Sequence, residues 1–272
     1  MNTIKLWLTT IRTTFTNVGA LAVFALIYAL LVATFFKFIW TREATVWQVF
    51  ITYSFMVLIP AEFFIYQAAI IDRVRDRKFR WGAILVDAIK FFIVTIPVLL
   101  LAWLLYYLLN KIAGRFPAPI APAVIPGSGP APPQPIHWPS FLFSTLRLIL
   151  FGVALPLTTI HLWIAVAGTE VRVFLRRIGA TCGRAFAFES VLIYGLGLIF
   201  FVLVPYAILF IPFTPRGNKT DFTFFILRLL LVFVFSFFGW LVTISALTKN
   251  SLETPPAPAP DKSPAVAVEA AA

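Results

Sequence analysis

The chain has 272 residues, of which 61% are hydrophobic and only 12% charged, with a formal charge of +11. A soluble domain carries about 25% charged residues, so this surface cannot face water throughout, and lipid must solvate most of it. The single cysteine, Cys182, excludes an internal disulfide and lacks the partners of a cysteine metal site.

In chain order, residues 4–18 (IKLWLTTIRTTFTNV) place Ile4, Trp7, Leu8, Ile11, Phe15 and Val18 at helical steps of three and four. Threonines and Arg12 fill most of the remaining positions, which predicts an amphipathic helix. Two apolar runs follow, at 18–36 and 46–71. The first is too long for a signal-peptide core and reads as a retained span. A second basic amphipathic stretch, KFRWGAILVDAIKFF (78–92), aligns Trp81, Ile84, Leu85, Ala88 and Phe92, with Arg80, Asp87 and Lys90 away from that stripe. Apolar runs follow at 91–109 and 148–168. The third stretch, EVRVFLRRIGATCGRAF (170–186), aligns Val171, Phe174, Leu175, Ile178 and Cys182, and the runs at 191–213 and 229–247 complete the pattern.

A helix needs about 20 apolar residues to cross a bilayer. The six runs therefore predict an all-α polytopic protein of three hairpins, each preceded by a basic amphipathic interfacial helix. Strands of a membrane barrel would alternate with period two, and these runs do not. The membrane domain spans residues 1–250, and a Pro/Ala-rich tail at 251–272 reads as disordered. Nine prolines in 117–139 predict a polyproline-like loop between the third and fourth spans. It reads as a spacer, with a ligand for a proline-reading partner as the alternative. The sequon at Asn218 lies too close to its flanking spans to read as a glycosylation site.

Lys and Arg accumulate in cytoplasmic segments of membrane proteins. With the N-terminus inside, fourteen fall in inner segments and six in outer ones, so both termini are expected in the cytoplasm. Trp40, Trp47 and Trp138 then fall at the outer interface, and Trp7, Trp81 and Trp163 at the inner one. Each amphipathic stretch would hold its cations against anionic headgroups, and Arg172, Arg176, Arg177 and Arg184 are the candidate lipid contacts. The plainer alternative is an ordinary juxtamembrane elbow, basic because of topology alone. The charge is placed for lipid, not for nucleic acid.

Polar residues inside the spans mark candidate function. Glu62 falls in the second span, with Tyr66 one turn on and Gln67 beside it. His161 in the fourth span is expected at similar depth and is the candidate partner for Glu62. Such a pair could relay a proton or hold a substrate, or it could simply clamp two helices. Pro60, Pro97, Pro156 and Pro205 predict bends whose freed carbonyls need partners, with Thr158 and Thr159 available beside Pro156. Arg147 and Arg228 are expected to snorkel independently to the outer surface, and Gly195 and Gly197 to permit close helix contact. No nucleophile set, phosphate-cradling glycine loop or metal-ligand spacing occurs, so neither an enzyme nor a cofactor is expected.

The repeated pattern, with RWGAILVDAIKFF and RRIGATCGRAF at corresponding places, resembles a group of six-span bacterial inner-membrane proteins. That group includes the membrane domain found fused to glycerophosphodiester phosphodiesterases. The resemblance implies a helical bundle in a bacterial inner membrane. The phosphodiesterase domain is absent from these 272 residues, so its hydrolase activity and metal site do not carry over. The expected role is non-enzymatic, organising lipid or an unidentified membrane-protein partner. The alternative is a small-solute or lipid transporter centred on Glu62 and His161.

Overall fold

A computed structural model describes residues 3–42, 45–117, 137–169, 171–212 and 217–253. The greater part of the proline-rich loop and the tail beyond Glu253 lie outside the described residues. The chain forms α1 (Thr3–Thr16), α2 (Val18–Trp40), α3 (Val46–Asp76), α4 (Trp81–Ala113), α5 (Trp138–Val166), α6 (Val171–Ala185), α7 (Phe188–Phe210) and α8 (Asn218–Glu253). Six of them, α2 to α5, α7 and α8, are long and apolar enough to cross a membrane. No strand occurs among the described residues. This is a helical protein with the length and composition of a multi-pass membrane protein.

The helices exceed the apolar runs that announce them. The second run ends at residue 71, but α3 continues to Asp76. The second amphipathic stretch is no separate helix, since α4 runs unbroken from Trp81 to Ala113. Nothing between Trp81 and Phe91 breaks a helix, and the polar side chains there find protein partners, so the apolar boundary is not a structural one.

Contacts concentrate at one end of the bundle, called the base here, where α1, α6 and the C-terminal part of α8 meet the spans. α3 packs against α2, α4 and α8. α8 also packs against α7 and α1, and α5 lies against α4 and α6. The core residues Ala69, Ile70, Ile71, Ile84, Phe91, Leu157, Ile193, Leu241, Ile244 and Leu247 all belong to the basal half. In the distal half the spans expose Leu30, Ile39, Val57, Leu100, Trp103, Leu142, Leu148 and Leu230. Lys249 Nζ ties α8 to α1 through the hydroxyls of Thr10 (3.3 Å) and Thr13 (2.9 Å).

The apolar stripes of the three amphipathic stretches do not form their packing faces. α1 buries Leu6, Trp7 and Thr10 while Ile4, Leu8 and Phe15 are exposed. α4 buries Ile84, Asp87, Ala88 and Phe91 while Trp81, Leu85 and Phe92 are exposed. α6 buries Phe174, Thr181 and Ala185 while Leu175 and Ile178 are exposed. At about 100° per residue, each buried face is turned by about 60 to 100° from the middle of its stripe, in the same sense all three times. One edge of every stripe therefore meets protein, and the other is left open.

Two of the four prolines alter the local hydrogen bonding. α5 widens into a π turn at Leu150–Ala154 and α7 at Ile199–Leu203, each two residues before a proline, Pro156 or Pro205. Proline has no N–H for the carbonyl four residues back, and its ring crowds that carbonyl, so a one-residue bulge relieves the crowding. For Pro156 the orphaned carbonyl belongs to Gly152, and the Tyr194 hydroxyl of α7 donates to it at 3.1 Å. Thr158 and Thr159 do not serve it; they donate to Ala154 and Leu155. Pro60 and Pro97 sit inside continuous α-helix.

Candidate functional site

Glu62 is buried at the middle of α3, fourteen residues before the helix end at Asp76, or about 21 Å at 1.5 Å per residue. Its Oε1 accepts the Thr34 hydroxyl of α2 at 3.1 Å, and Oε2 is buried without a hydrogen-bond partner. The expected pair with His161 is not formed. His161 lies between α5 and α7, where its Nδ1 is 2.9 Å from the Leu157 carbonyl and its Nε2 is 3.1 Å from Ser190 Oγ. A carbonyl only accepts, so Nδ1 carries the hydrogen and Nε2 takes the Ser190 hydroxyl. A serine one turn into α7 satisfies the imidazole, which leaves it no use for the carboxyl.

Tyr66 and Gln67 extend the Glu62 site toward α2 and α8. The Trp240 indole N–H donates to Gln67 Oε1 at 2.9 Å, while Gln67 Nε2 and Tyr66 OH are buried and unpartnered. The Tyr66 ring packs edge-on to Phe24 with centroids 6.5 Å apart, and its centroid lies 6.0 Å from that of Tyr28. Within six residues of one helix, three polar atoms thus stand in an aromatic setting without a hydrogen bond. A buried polar atom left unsatisfied costs about 1–3 kcal/mol.

Near the base a second polar group joins α3, α4 and the corner after α5. Asp72 is buried and takes the Arg80 amide (3.1 Å) and Arg80 Nη2 (3.0 Å), and Asp76 also pairs with Arg80. The Asp72 hydrogen bond holds the Arg80 guanidinium above its usual pKa. Asp87 accepts the Gly168 N–H (3.2 Å) and Lys90 Nζ (2.9 Å), and Arg75 donates to the Ala167 carbonyl. Gly168 has φ +62°, and a Cβ there would press into the Arg75 guanidinium. Asp87 was expected away from the apolar stripe, and it lies on the face that packs against protein. The signal was available in composition: three of the eleven acidic residues fall between residues 72 and 87.

Other expectations divide. On α6, Arg172 and Arg176 are exposed and Arg184 is half-buried, while the Arg177 side chain lies outside those described. Trp7 and Trp163 are both buried within the bundle. Trp163 donates to Thr95 Oγ1 at 2.9 Å among the rings of Phe63, Phe64 and Phe91. Arg147 does not snorkel alone, since its Nη2 is 2.6 Å from Asn110 Oδ1 on α4. Gly197 faces Thr243 so closely that a Cβ would collide, whereas Gly195 faces open space. Among the described residues, no three His, Cys, Asp or Glu side chains gather where they could hold a metal ion.

Glu62, Tyr66 and Gln67 therefore share one site with Thr34 and Trp240, and His161 belongs to another with Ser190. Thr34, Ser190 and Trp240 were not foreseen. Their signal was a polar group inside, or just before, an apolar run, which becomes informative only when a partner helix is known. Compared with protein families, curated proteins and solved structures, the chain matches none.

Proposed function

We propose that this is a non-enzymatic membrane protein of a bacterial inner membrane, with both termini cytoplasmic and the base at the cytoplasmic interface. There it organises lipid or docks a membrane partner, in keeping with the six-span group its sequence pattern resembles. One observation carries the reading: the polar side chains of the spans are spent joining helices. Thr34 binds Glu62, Trp240 binds Gln67, Trp163 binds Thr95, His161 binds Ser190, and Tyr194 binds the Gly152 carbonyl. Such bonds make a rigid base. The open edges of the amphipathic stretches and the exposed cations Arg172 and Arg176 are its contacts to lipid.

The second reading, a transporter, draws on the unpartnered Glu62 Oε2, Tyr66 OH and Gln67 Nε2, which could meet a polar solute if the helices around them separated. Uptake into proteoliposomes against a metabolite panel, wild type beside Glu62→Gln, tests the two. A scaffold gives no flux in either protein and only a shift in stability. A flux that Glu62→Gln abolishes in a folded protein overturns the scaffold.

A further inference from the structure

The geometry points to a phospholipid headgroup site in the cleft at the first turn of α4, where the lipid phosphate sits between Arg80 and Lys90. The cleft is open, has a volume of about 680 Å³, and is lined by Arg80, Gly82, Val86, Asp87, Lys90 and Thr169, among others.

Four features of the cleft suit a phosphate. The Arg80 side chain is 58% exposed, and its guanidinium contacts Asp72 and Asp76 through Nη2 alone, leaving other N–H groups for a ligand. Lys90 Nζ reaches Asp87 Oδ1 and the Thr169 carbonyl, which leaves one of its three hydrogens. α4 begins without a side-chain cap, and the amides of Trp81, Gly82 and Ala83 have no hydrogen-bond partner among the described residues. Free first-turn amides of a long helix attract anions. The one acid in the lining has both oxygens engaged, Asp87 Oδ1 by Lys90 and Oδ2 by the Gly168 N–H.

Two further features select a lipid over a soluble phosphate. A Cβ at Gly82 would meet nothing within 4 Å, so packing does not require glycine there, and its effect is to keep the cleft open. From the cleft an apolar track climbs α4 along Val86, Ile89 and Ile93, exposed by 53%, 61% and 58%. These residues share one helix face with Gly82, at steps of four, three and four. Phosphate at the helix start and acyl chain along this track match an anionic glycerophospholipid such as phosphatidylglycerol. The inference rests on the reading that the base lies at the bilayer interface.

Native mass spectrometry of the full chain, titrated in micelles with phosphatidylglycerol or phosphatidylcholine, tests it. The wild type is expected to retain phosphatidylglycerol preferentially. Gly82→Leu fills the cleft from an open position on the helix. It should keep the thermal midpoint yet lower phosphatidylglycerol affinity about fivefold, and Lys90→Gln should lower that affinity as well, together with the thermal midpoint because Asp87 loses its cation. Gly82→Leu at wild-type affinity overturns the cleft, and so does displacement of the lipid by glycerol 3-phosphate at equal concentration, which would mark a soluble ligand. If Arg172→Gln with Arg176→Gln removes the preference and Gly82→Leu does not, the cleft is wrong while the lipid-organising role stands. A wild type without any preference between the two lipids removes both.

Discussion

Along α3, every side chain from Glu62 to Asp72 is buried or half-buried, whereas between Val46 and Ala61 only Thr52 is buried. α5 divides the same way: Trp138–Ile149 buries nothing, while Leu157 to Val166 is almost wholly enclosed. Hydropathy does not separate these halves, since both are apolar. The basal half has small residues where helices cross, Ala68, Ala69, Gly197 and Gly239, and a polar group facing each neighbour. The distal half presents mostly Leu, Ile, Val and Phe. Lipid tails solvate those side chains as well as another helix would, so apolar burial does not draw the distal segments together, and the Arg147–Asn110 hydrogen bond is what joins α4 to α5 there. Close approach and hydrogen bonds, rather than apolar area, decide where this bundle has a core.

That contrast can be broken most directly at Gly239. A Cβ there would come within 2.8 Å of the Phe201 backbone nitrogen in the π turn of α7. Gly239→Leu is therefore expected to cost about 3 kcal/mol of unfolding free energy, measured by reversible denaturation in mixed micelles. The matched control is Gly195→Leu, where a Cβ meets nothing within 4 Å. Equal losses at the two positions would sink the account of the base.

Thr34→Val comes next. It removes the only hydrogen-bond donor to Glu62 among the described residues at nearly constant shape and should destabilise by about 1–3 kcal/mol. If a Glu62→Met background, which has no oxygen to accept the hydroxyl, shows the same loss, the carboxyl does not depend on that hydroxyl. Trp240→Phe and Tyr194→Phe each delete one interhelical bond, to Gln67 and to the Gly152 carbonyl. About 0.6–1.7 kcal/mol is expected for each, and steric trapping in bicelles resolves such differences. The smallest effects belong to the distal half: Leu100→Ala and Ile39→Ala should stay within about 0.5 kcal/mol. A loss of several kcal/mol at Leu100 would show that the distal half is held by protein contacts after all.

Much of the architecture was legible because the bilayer imposes it. Six runs of sufficient length gave six helices in the described residues, since an isolated backbone in hydrocarbon must satisfy its own hydrogen bonds. The site was legible only in part. Glu62, Tyr66 and Gln67 stand together because helical spacing alone places them so, and that much needs no tertiary information. The partner of Glu62 was misread. Similar depth made His161 the natural choice, but depth says nothing about which way a side chain turns: α3 meets α5 through Phe63 and Phe64 against Trp163, while Glu62 faces Thr34 on α2.

The repeated amphipathic stretches show where that boundary falls. Periodicity determines that each has an apolar stripe and a basic side, because both follow from spacing on a helix. Which edge of the stripe touches protein depends on how neighbouring helices cross, and no local pattern encodes that. Tertiary packing turned all three stripes aside by a similar angle, buried Asp72 and Asp87 against Arg80, Lys90 and Gly168, and left Gly82 at the edge of an open cleft. The sequence alone determined the number of spans and the positions of their polar groups, since local periodicity and hydrocarbon solvation suffice for both. Only the packed structure decided which polar groups meet, because that is set by contacts between residues far apart in the chain.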